Sequence, residues 1–318
     1  MKLSIIIVSW NTCELTLKCL ESIFKYLKNI EYQVFLVDNN SSDDTVKYAS
    51  KLNYSNLKII ANKQNLGFAA ANNLAIKQAQ GEYILLLNPD TELTCHPVLD
   101  TGSRGKKDKL DSGFRRDDKS GIGSMTEFIE QHSDCGIVGP KLLNTNKTLQ
   151  RSCRQFPKLL DQLFIQLKFY NFFPNKIKAT REYFMLDFNH DSIYEVDQVM
   201  GAALLTTRKV INKIGLLDEK FFATFEEVDF CKRAKNAGYK IYFYPEVQII
   251  HHKESSFNQM ANLRKQINFN HSLYYYFKKH KPAWQLFILW LIQPINLLLT
   301  LLDMLFGIRK KAGKQKDL

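Results

Sequence analysis

Four apolar, β-branched runs, each set off by a helical pattern, constrain this chain more than any other feature. The first, "KLSIIIVSW", is continuously apolar, as a strand buried on both faces of a parallel sheet must be. In "NTCELTLKCLESIFKYL", which follows, Leu15, Cys19, Ile23 and Leu27 fall four apart on one helical face, with Asn11 or Thr12 as cap. "YQVFLVDNNSSDD" reads as a second strand running into an Asp/Asn/Ser cluster, "TVKYASKL" as a helix and "LKIIAN" as a third strand. "GFAAANNLAIKQA" is helical, and "GEYILLLNPD" is a fourth strand after a glycine stop. The alternation implies a doubly wound, mostly parallel α/β sheet. Ligands of such sheets sit beyond the carboxyl ends of the strands. Those ends carry Ser9 and Trp10, Asp38 to Asn40, Asn62 to Asn65, and Asn88 to Asp90, so polar groups converge on one edge.

The rest of the chain continues the pattern with one break. Residues 95–123 hold twelve charged residues and five glycines against six apolar ones, too little to offset the entropy of ordering. They are expected to form a mobile surface loop. "MTEFIEQHSDCGIVGPKLL" resumes a helix and a short strand. Residues 150–195 are basic and aromatic, with no clear periodicity. "VDQVMGAALLTTRKVINKIGLLDE" reads as strand then helix, "EEVDFCKRAKNAGY" as a helix closed by Gly238, and "KIYFYPEVQIIHH" as a strand.

The net charge of +12 suits a polyanion, an anionic membrane face or a phosphate-bearing ligand without choosing among them. The basic residues are scattered and concentrated at the tail, with no nucleic-acid reader motif, which argues against nucleic acid. Cysteines 13, 19, 95, 135, 153 and 231 form no CxxC pair, so reduced thiols in a cytosolic protein are expected. "MKLSIIIVSW" is strand-length and does not read as a signal peptide.

Three carboxylate and imidazole sites could carry chemistry. Asp90 ends an apolar strand, where it is either turn chemistry or a ligand for a hard cation. Glu226, Glu227 and Asp229 fall in "FATFEEVDFC", either favouring a helix dipole or forming a general-base cluster in which repulsion raises one pKa. His251 and His252 follow "VQII" as metal ligands or as a solvated strand end. Asp38 could cap a helix or bind a base. The glycine of "NLGFAAANN" opens a helix that could cradle a phosphate. No GxGxxG or GxxxxGK[ST] fingerprint appears.

Taken in order, "SIIIVSWN", "VDNNSSDDT", "NLGFAAANN", "GEYILLLNPDTEL", "GIVGPKL", "MGAALLTTR", "GLLDEKFFATFEEVDFCKRAKNAGY" and "YPEVQIIHHKESS" closely resemble family 2 glycosyltransferases of the GT-A fold, especially the bacterial rhamnosyltransferase-like group. The resemblance covers residues 3–257 apart from 95–123. It implies an inverting transfer from a nucleoside diphosphate sugar to a saccharide or lipid-linked acceptor in cell-surface polysaccharide synthesis. It assigns Asp38 to the nucleotide base, with Ser9 lining the same pocket. It places Asn65, Gly67 and Asn72 on the phosphate and ribose side, and Asn40, Asn88 and Gly201 complete the donor-side set. Asp90 matches the last residue of a metal motif here reduced to Asn-Pro-Asp. With His251 it would hold Mg²⁺ or Mn²⁺. Glu227 stands where the group usually has the Asp that acts as base, so it is the expected base, one methylene longer, flanked by Glu226 and Asp229. A non-catalytic nucleotide-sugar-binding protein is the alternative. The run at 95–123 resembles translated palindromic repeat elements and is expected to be a tolerated insertion.

Residues 1–260 therefore read as a catalytic domain and 261–318 as a C-terminal helical, basic, membrane-associating segment. "WQLFILWLIQPINLLLTLLDMLF" is long enough to span a bilayer. Yet Gln285, Gln293, Asn296, Thr300 and Asp303 fall within about 80° of one helical face, and Pro294 is expected to kink the helix. Lys278, Lys279 and Lys281 precede it, and Arg309, Lys310, Lys311, Lys314 and Lys316 follow. A helix lying on the inner leaflet, peripheral to the cytoplasmic face of the membrane, fits this pattern best, with a spanning helix or hairpin and simple packing on the catalytic domain as the alternatives.

Overall fold

The computed structural model describes residues 1–28, 30–94, 121–173, 176–253 and 262–306. The chain runs β1 (Leu3–Ser9), α1 (Cys13–Tyr26), β2 (Tyr32–Asp38), α2 (Thr45–Ala49), β3 (Leu57–Ala61), α3 (Phe68–Gln78), β4 (Tyr83–Leu87) and β5 (Thr91–Leu93). After the undescribed stretch come α4 (Ile122–Gln131), β6 (Cys135–Leu143), β7 (Leu149–Gln150), β8 (Cys153–Arg154), α5 (Leu159–Gln166), α6 (Phe169–Phe172) and α7 (Lys178–Tyr183). The last part is β9 (Tyr194–Val196), β10 (Gln198–Val199), β11 (Ala203–Thr207), α8 (Arg208–Ile214), α9 (Glu226–Asn236), β12 (Lys240–His251), α10 (Asn262–His280) and α11 (Ala283–Phe306).

The large sheet has the order β3-β2-β1-β4-β11-β6-β12-β5. β1, β2, β3 and β4 are parallel, and so are β6 and β12. β11 is antiparallel to both neighbours, β4 and β6. With β5 and β9, both antiparallel to β12, and β7, antiparallel to β6, it makes the sheet mixed, in keeping with the mostly parallel reading, and its reversal has a use. The turn before it, Met200–Gly201–Ala202, crosses the carboxyl-end edge before the chain descends between β4 and β6.

All seven residues of β1 are buried. They alternate between two cores, Ile6 and Val8 on one face and Leu3, Ile5 and Ile7 on the other. This is why the run could be uniformly apolar. Helix α1 buries Cys19, Leu20 and Ile23 on the second face. Leu273, Tyr276 and Phe277 of α10 and Leu289 of α11 join the first core, so the C-terminal helices share the sheet's apolar cluster.

Several sequence expectations need adjustment. Neither Asn11 nor Thr12 caps α1 by its side chain; Asp43 does so instead, accepting the Cys13 N–H at 2.9 Å. Asn11 ties two loops together, donating its N–H to Ser41 and accepting from the Ser42 N–H. Helix α4 begins at Ile122, which is buried, so the last residues of the 95–123 run already belong to the fold. The remainder, 95–120, lies outside the described residues, as do the basic residues 309–316. Pro294 lies inside α11.

Candidate active site

The loops after β1, β2 and β4 meet the crossing turn before β11 and the start of α9 around a cavity of about 240 Å³. Its walls include Trp10, Asn39, Asn65, Gly67, Asn88, Gly201, Glu226 and Glu227.

The donor-side wall is a small amide clamp. Asn39 Nδ2 donates to Asn65 Oδ1 at 2.9 Å and to the Gly67 carbonyl at 3.3 Å, and Asn39 Oδ1 accepts the Leu66 N–H at 3.0 Å. Asn65 Oδ1 also accepts the Gly67 N–H at 2.9 Å. Gly67 opens α3 with φ +82°, and a Cβ there would stand 2.7 Å from the Phe222 carbonyl oxygen. Only glycine satisfies both constraints. Asp38 is 4% exposed. Its Oδ2 accepts the Ser41 N–H at 3.0 Å, while its Oδ1 is buried without a partner.

Some expected residues stand elsewhere. Ser9 is buried in a hydroxyl triad with Thr12 and Thr16, 3.1 and 2.9 Å away, and does not reach the cavity. Asn40 is exposed, with φ +65°, and its neighbour Asn39 takes the inward position. That left-handed turn at residue 40 is backbone geometry that the run "VDNNSS" does not reveal. Asn72 is buried and bonds back to the Phe68 carbonyl, leaving its Oδ1 unpartnered. Phe222 is a wall residue that sequence reading did not single out, while Trp10 and Asn39 were noted only among the strand ends and given no role. For Trp10 the signal was its place at the first strand's end.

Asp90 is wholly buried, and both its carboxylate oxygens lack hydrogen-bond partners. Pro89 and Asn88, just before it, line the cavity. β12 brings His251 alongside, in register with Thr91. His251 Nε2 lies 3.3 Å from Asp90 Oδ1, close enough for charge pairing but without hydrogen-bond geometry. The other ring nitrogen is 2.6 Å from Gln150 Oε1, an acceptor, so Nδ1 donates there and Nε2 is the ring nitrogen turned toward Asp90. Gln150 is itself held, donating from Nε2 to Asn144 Oδ1 and the His251 carbonyl. Two donors bound at right angles to one cation at about 2.1 Å would stand about 3.0 Å apart. The pair therefore fits two ligands of one hard cation, with the remaining positions left to other oxygens. Among the described residues there is no cluster of three or more such ligands.

The opposite wall carries the acidic pair. Thr224 and Phe225 both have positive φ, +68° and +70°, an expensive conformation for a β-branched and a bulky residue. The double turn starts α9 so that Glu226 and Glu227 face the cavity. Glu226 is 6% exposed, and each glutamate has one buried carboxylate oxygen without a partner. Burial raises the Glu226 pKa well above the carboxyl range, and the Glu227 charge adds to it. Burial likewise raises Glu227, opposed but not overcome by backbone N–H groups and the Arg154 charge. Gly201 packs beside this pair: a Cβ there would be in ordinary contact with the Glu227 Cβ, 3.4 Å away.

Asp229, one turn on, points the other way. Its Oδ2 accepts from Arg233 Nε at 2.7 Å, and its Oδ1 takes His280 at 2.7 Å and Lys279 at 2.8 Å. Burial alone would raise its pKa, but the hydrogen bonds from His280 and Lys279 and the Arg233 charge hold it at about 2. It fastens α10 to α9 and is not part of the cavity wall.

Known proteins bear on this arrangement. The family profile described as "Glycosyl transferase family 2" matches residues 4–96, and "Glycosyltransferase like family 2" matches residues 88–266, more than half of the chain. The low-salt glycan biosynthesis hexosyltransferase Agl10 of Haloferax volcanii is 22% identical over 86% of this chain and 76% of its own. The N-acetylglucosaminyl-diphospho-decaprenol L-rhamnosyltransferase of Mycobacterium tuberculosis is 24% identical over 70% of this chain and 67% of its own. Among solved structures, the mannosyltransferase PcManGT of Pyrobaculum calidifontis, in complex with GDP-Man and Mn²⁺, superposes with a TM-score of 0.54 at 15% identity, covering 99% of this chain and 77% of that one. The mixed, mostly parallel sheet, the cavity at its carboxyl edge and the family match agree: this chain belongs to family 2 of the glycosyltransferases and has the GT-A fold.

Proposed function

We propose that the chain transfers a hexose or deoxyhexose, rhamnose included, from a nucleoside diphosphate sugar to a hydroxyl of a saccharide or lipid-linked acceptor, inverting the anomeric centre. The acceptor is presented at the cytoplasmic face of a membrane. The observation that carries this reading is a single cavity joining the amide clamp, the turn into Asp90, and the glutamate pair. The relatives' names supply the substrate classes: a diphospho-decaprenol acceptor in one and a GDP-sugar with Mn²⁺ in another.

In this reading Asp38 receives the base through its unpartnered Oδ1, and the Asn39–Asn65–Gly67 clamp shapes the wall beside the diphosphate. Asp90 and His251 would hold a divalent cation, Mg²⁺ or Mn²⁺, which neutralises charge building on the departing diphosphate. A one-step displacement needs one base and no covalent nucleophile. Glu227 is that base. Its raised pKa makes it a stronger proton acceptor than an ordinary carboxylate. Glu226, raised by burial and by the Glu227 charge, stands beside it to hydrogen-bond the sugar or acceptor. Residues 1–260 form the catalytic part and 261–318 the helical segment that faces the membrane.

The test is binding and turnover on a nucleotide-sugar panel with and without Mn²⁺ or Mg²⁺, using Asp90→Ala and Glu227→Gln. Metal-dependent donor binding lost in the first and turnover lost in the second support the reading. Donor binding indifferent to metal and to Asp90→Ala, together with turnover that survives Glu227→Gln, would refute it.

A further inference from the structure

Helix α11 has its polar side inward. Asn296 is fully buried, its Oδ1 accepting from Asn270 Nδ2 at 2.9 Å and its Nδ2 donating to the Gln166 carbonyl at 2.7 Å. One turn on, buried Thr300 bonds back to the Asn296 carbonyl. Trp284, Phe287, Trp290, Leu291, Leu298 and Leu305 are all at least 55% exposed. A helix covering a water-soluble body has the reverse arrangement. Here an apolar stripe of about 33 Å faces outward, far more than a soluble monomer usually leaves bare.

The helix is held flat against the body. α10 and α11 form an antiparallel hairpin, for Asn270 meets Asn296 while Tyr274, a turn later, reaches the Leu289 carbonyl. α5 packs on the same side through Gln166. Leu160 of α5 and Phe169 of α6 add exposed apolar surface on the neighbouring helices. Crossing a bilayer would strip Asn296 of both partners in a medium that offers no others. Lying in its surface costs none of these bonds.

Charge decides between a bilayer and a second copy of the chain. Lys278 is exposed beside the hairpin turn, and Arg309, Lys310, Lys311, Lys314 and Lys316 follow α11 directly in sequence. In a chain of net charge +12 these repel a second copy and attract anionic lipid.

We infer that α11 docks in the plane of the headgroup region of an anionic bilayer, its tryptophan-bearing face down. The hairpin then ties the membrane to the active site, since Ser272 of α10 donates to the carbonyl of Ala223, a cavity-wall residue, at 3.0 Å. This docking needs nothing of the transfer chemistry and stands or falls separately from it.

The experiment uses the purified full chain with vesicles of phosphatidylcholine alone or mixed with phosphatidylglycerol. Flotation reads binding, and tryptophan quenching by lipids brominated at known depths reads position; two of the three tryptophans, Trp284 and Trp290, lie on α11. Binding that favours the anionic vesicles, with shallow quenching, is expected. Trp290→Glu combined with Leu298→Glu should weaken it at least about a hundredfold, with donor binding in the absence of lipid unchanged. A chain ending at Phe306 should lose affinity for anionic vesicles by severalfold for each basic residue removed. Absence of vesicle binding while donor binding persists would overturn docking alone, as would quenching strongest at the bilayer centre or a lipid-free dimer broken by the same double variant.

Discussion

His251 Nε2 and Asp90 Oδ1 stand 3.3 Å apart, buried, and neither has a hydrogen-bond partner. Two unpaired polar atoms facing each other in the interior cost free energy unless a third group completes them. Gln150, which orients the ring, should therefore matter although it touches no substrate. Gln150→Ala is expected to lower Mn²⁺ affinity about 10- to 100-fold, read by calorimetry in the presence of a nucleoside diphosphate. Asp90→Ala should abolish the metal dependence of donor binding. Unchanged metal affinity in both variants would mean that the pair holds no cation.

Glu227→Gln should cut turnover about 10²- to 10⁴-fold while leaving donor affinity nearly intact. In the parent protein kcat/KM should rise with pH through a value above the usual carboxyl pKa, because burial raises Glu227 and only the deprotonated form accepts the proton. The stability effect has the same origin. The folded state binds these protons more tightly than the unfolded chain, so stability falls as pH climbs from the ordinary carboxyl range through the raised pKa values of Glu226 and Glu227. Glu227→Gln removes part of that penalty and should melt higher than the parent at neutral pH. A lower melting temperature together with unaltered turnover would exclude the base.

Asp229→Asn should do the opposite. It leaves Arg233, Lys279 and His280 around a neutral group and is expected to cost about 3–5 kcal/mol. With its folded pKa at about 2, the carboxylate's contribution is complete above the unfolded pKa and is lost as pH falls toward the folded one. The parent should thus lose stability in acid over that window, and Asp229→Asn should lack this part of the transition. Chemical denaturation between pH 2 and 6 reads both. A variant that folds as well as the parent yet fails in turnover would put Asp229 back among the reacting groups.

The strands were legible because burial on both faces leaves only one composition for β1, β2 and β4. The site was legible as a set of strand ends, since a parallel sheet can expose ligand groups only there. What escaped was direction. Asp229 and Glu227 are two positions apart on α9, and only the helix's angle, set by positive φ at Thr224 and Phe225, sends one to the cavity and the other to α10. Asn39 and Asn40 exchange roles for the same reason. Helices α5 to α7 gave no periodic signal because they are short and half buried against partners distant in sequence. The polar arc of α11 was visible as a pattern. Its inward orientation depends on Asn270 and Gln166, which no local reading connects to it.

Gly67→Ala tests the donor wall. The new methyl group would meet the Phe222 carbonyl at 2.7 Å, in a backbone conformation with φ +82°. The chain must move there, and Asn39 loses its bond to the Gly67 carbonyl as it does. Strain of about 1–3 kcal/mol should appear as weaker donor binding by about tenfold or more. Asn39→Ala should reproduce the binding loss without the backbone strain. Normal donor binding in both would place the nucleotide elsewhere.

Excising residues 96–120 tests whether the charged run serves the enzyme. One family profile ends at residue 96 while the other runs across the segment from 88 to 266, so matching sequence lies on both sides of it. β5 ends at Leu93 and is already paired with β12, and α4 starts at Ile122 with Met125 in the second core, so both flanks are anchored without the run. Loop closure depends only weakly on length, about 0.6 kcal/mol for each doubling, so a shorter connection should leave stability within about 1–2 kcal/mol of the parent. The excised protein is expected to keep its melting temperature within a few degrees and its turnover within about threefold. Loss of turnover with intact folding and donor binding would instead make the run part of acceptor recognition, because in sequence it follows β5, a few residues after the cavity's Asn88–Pro89 wall.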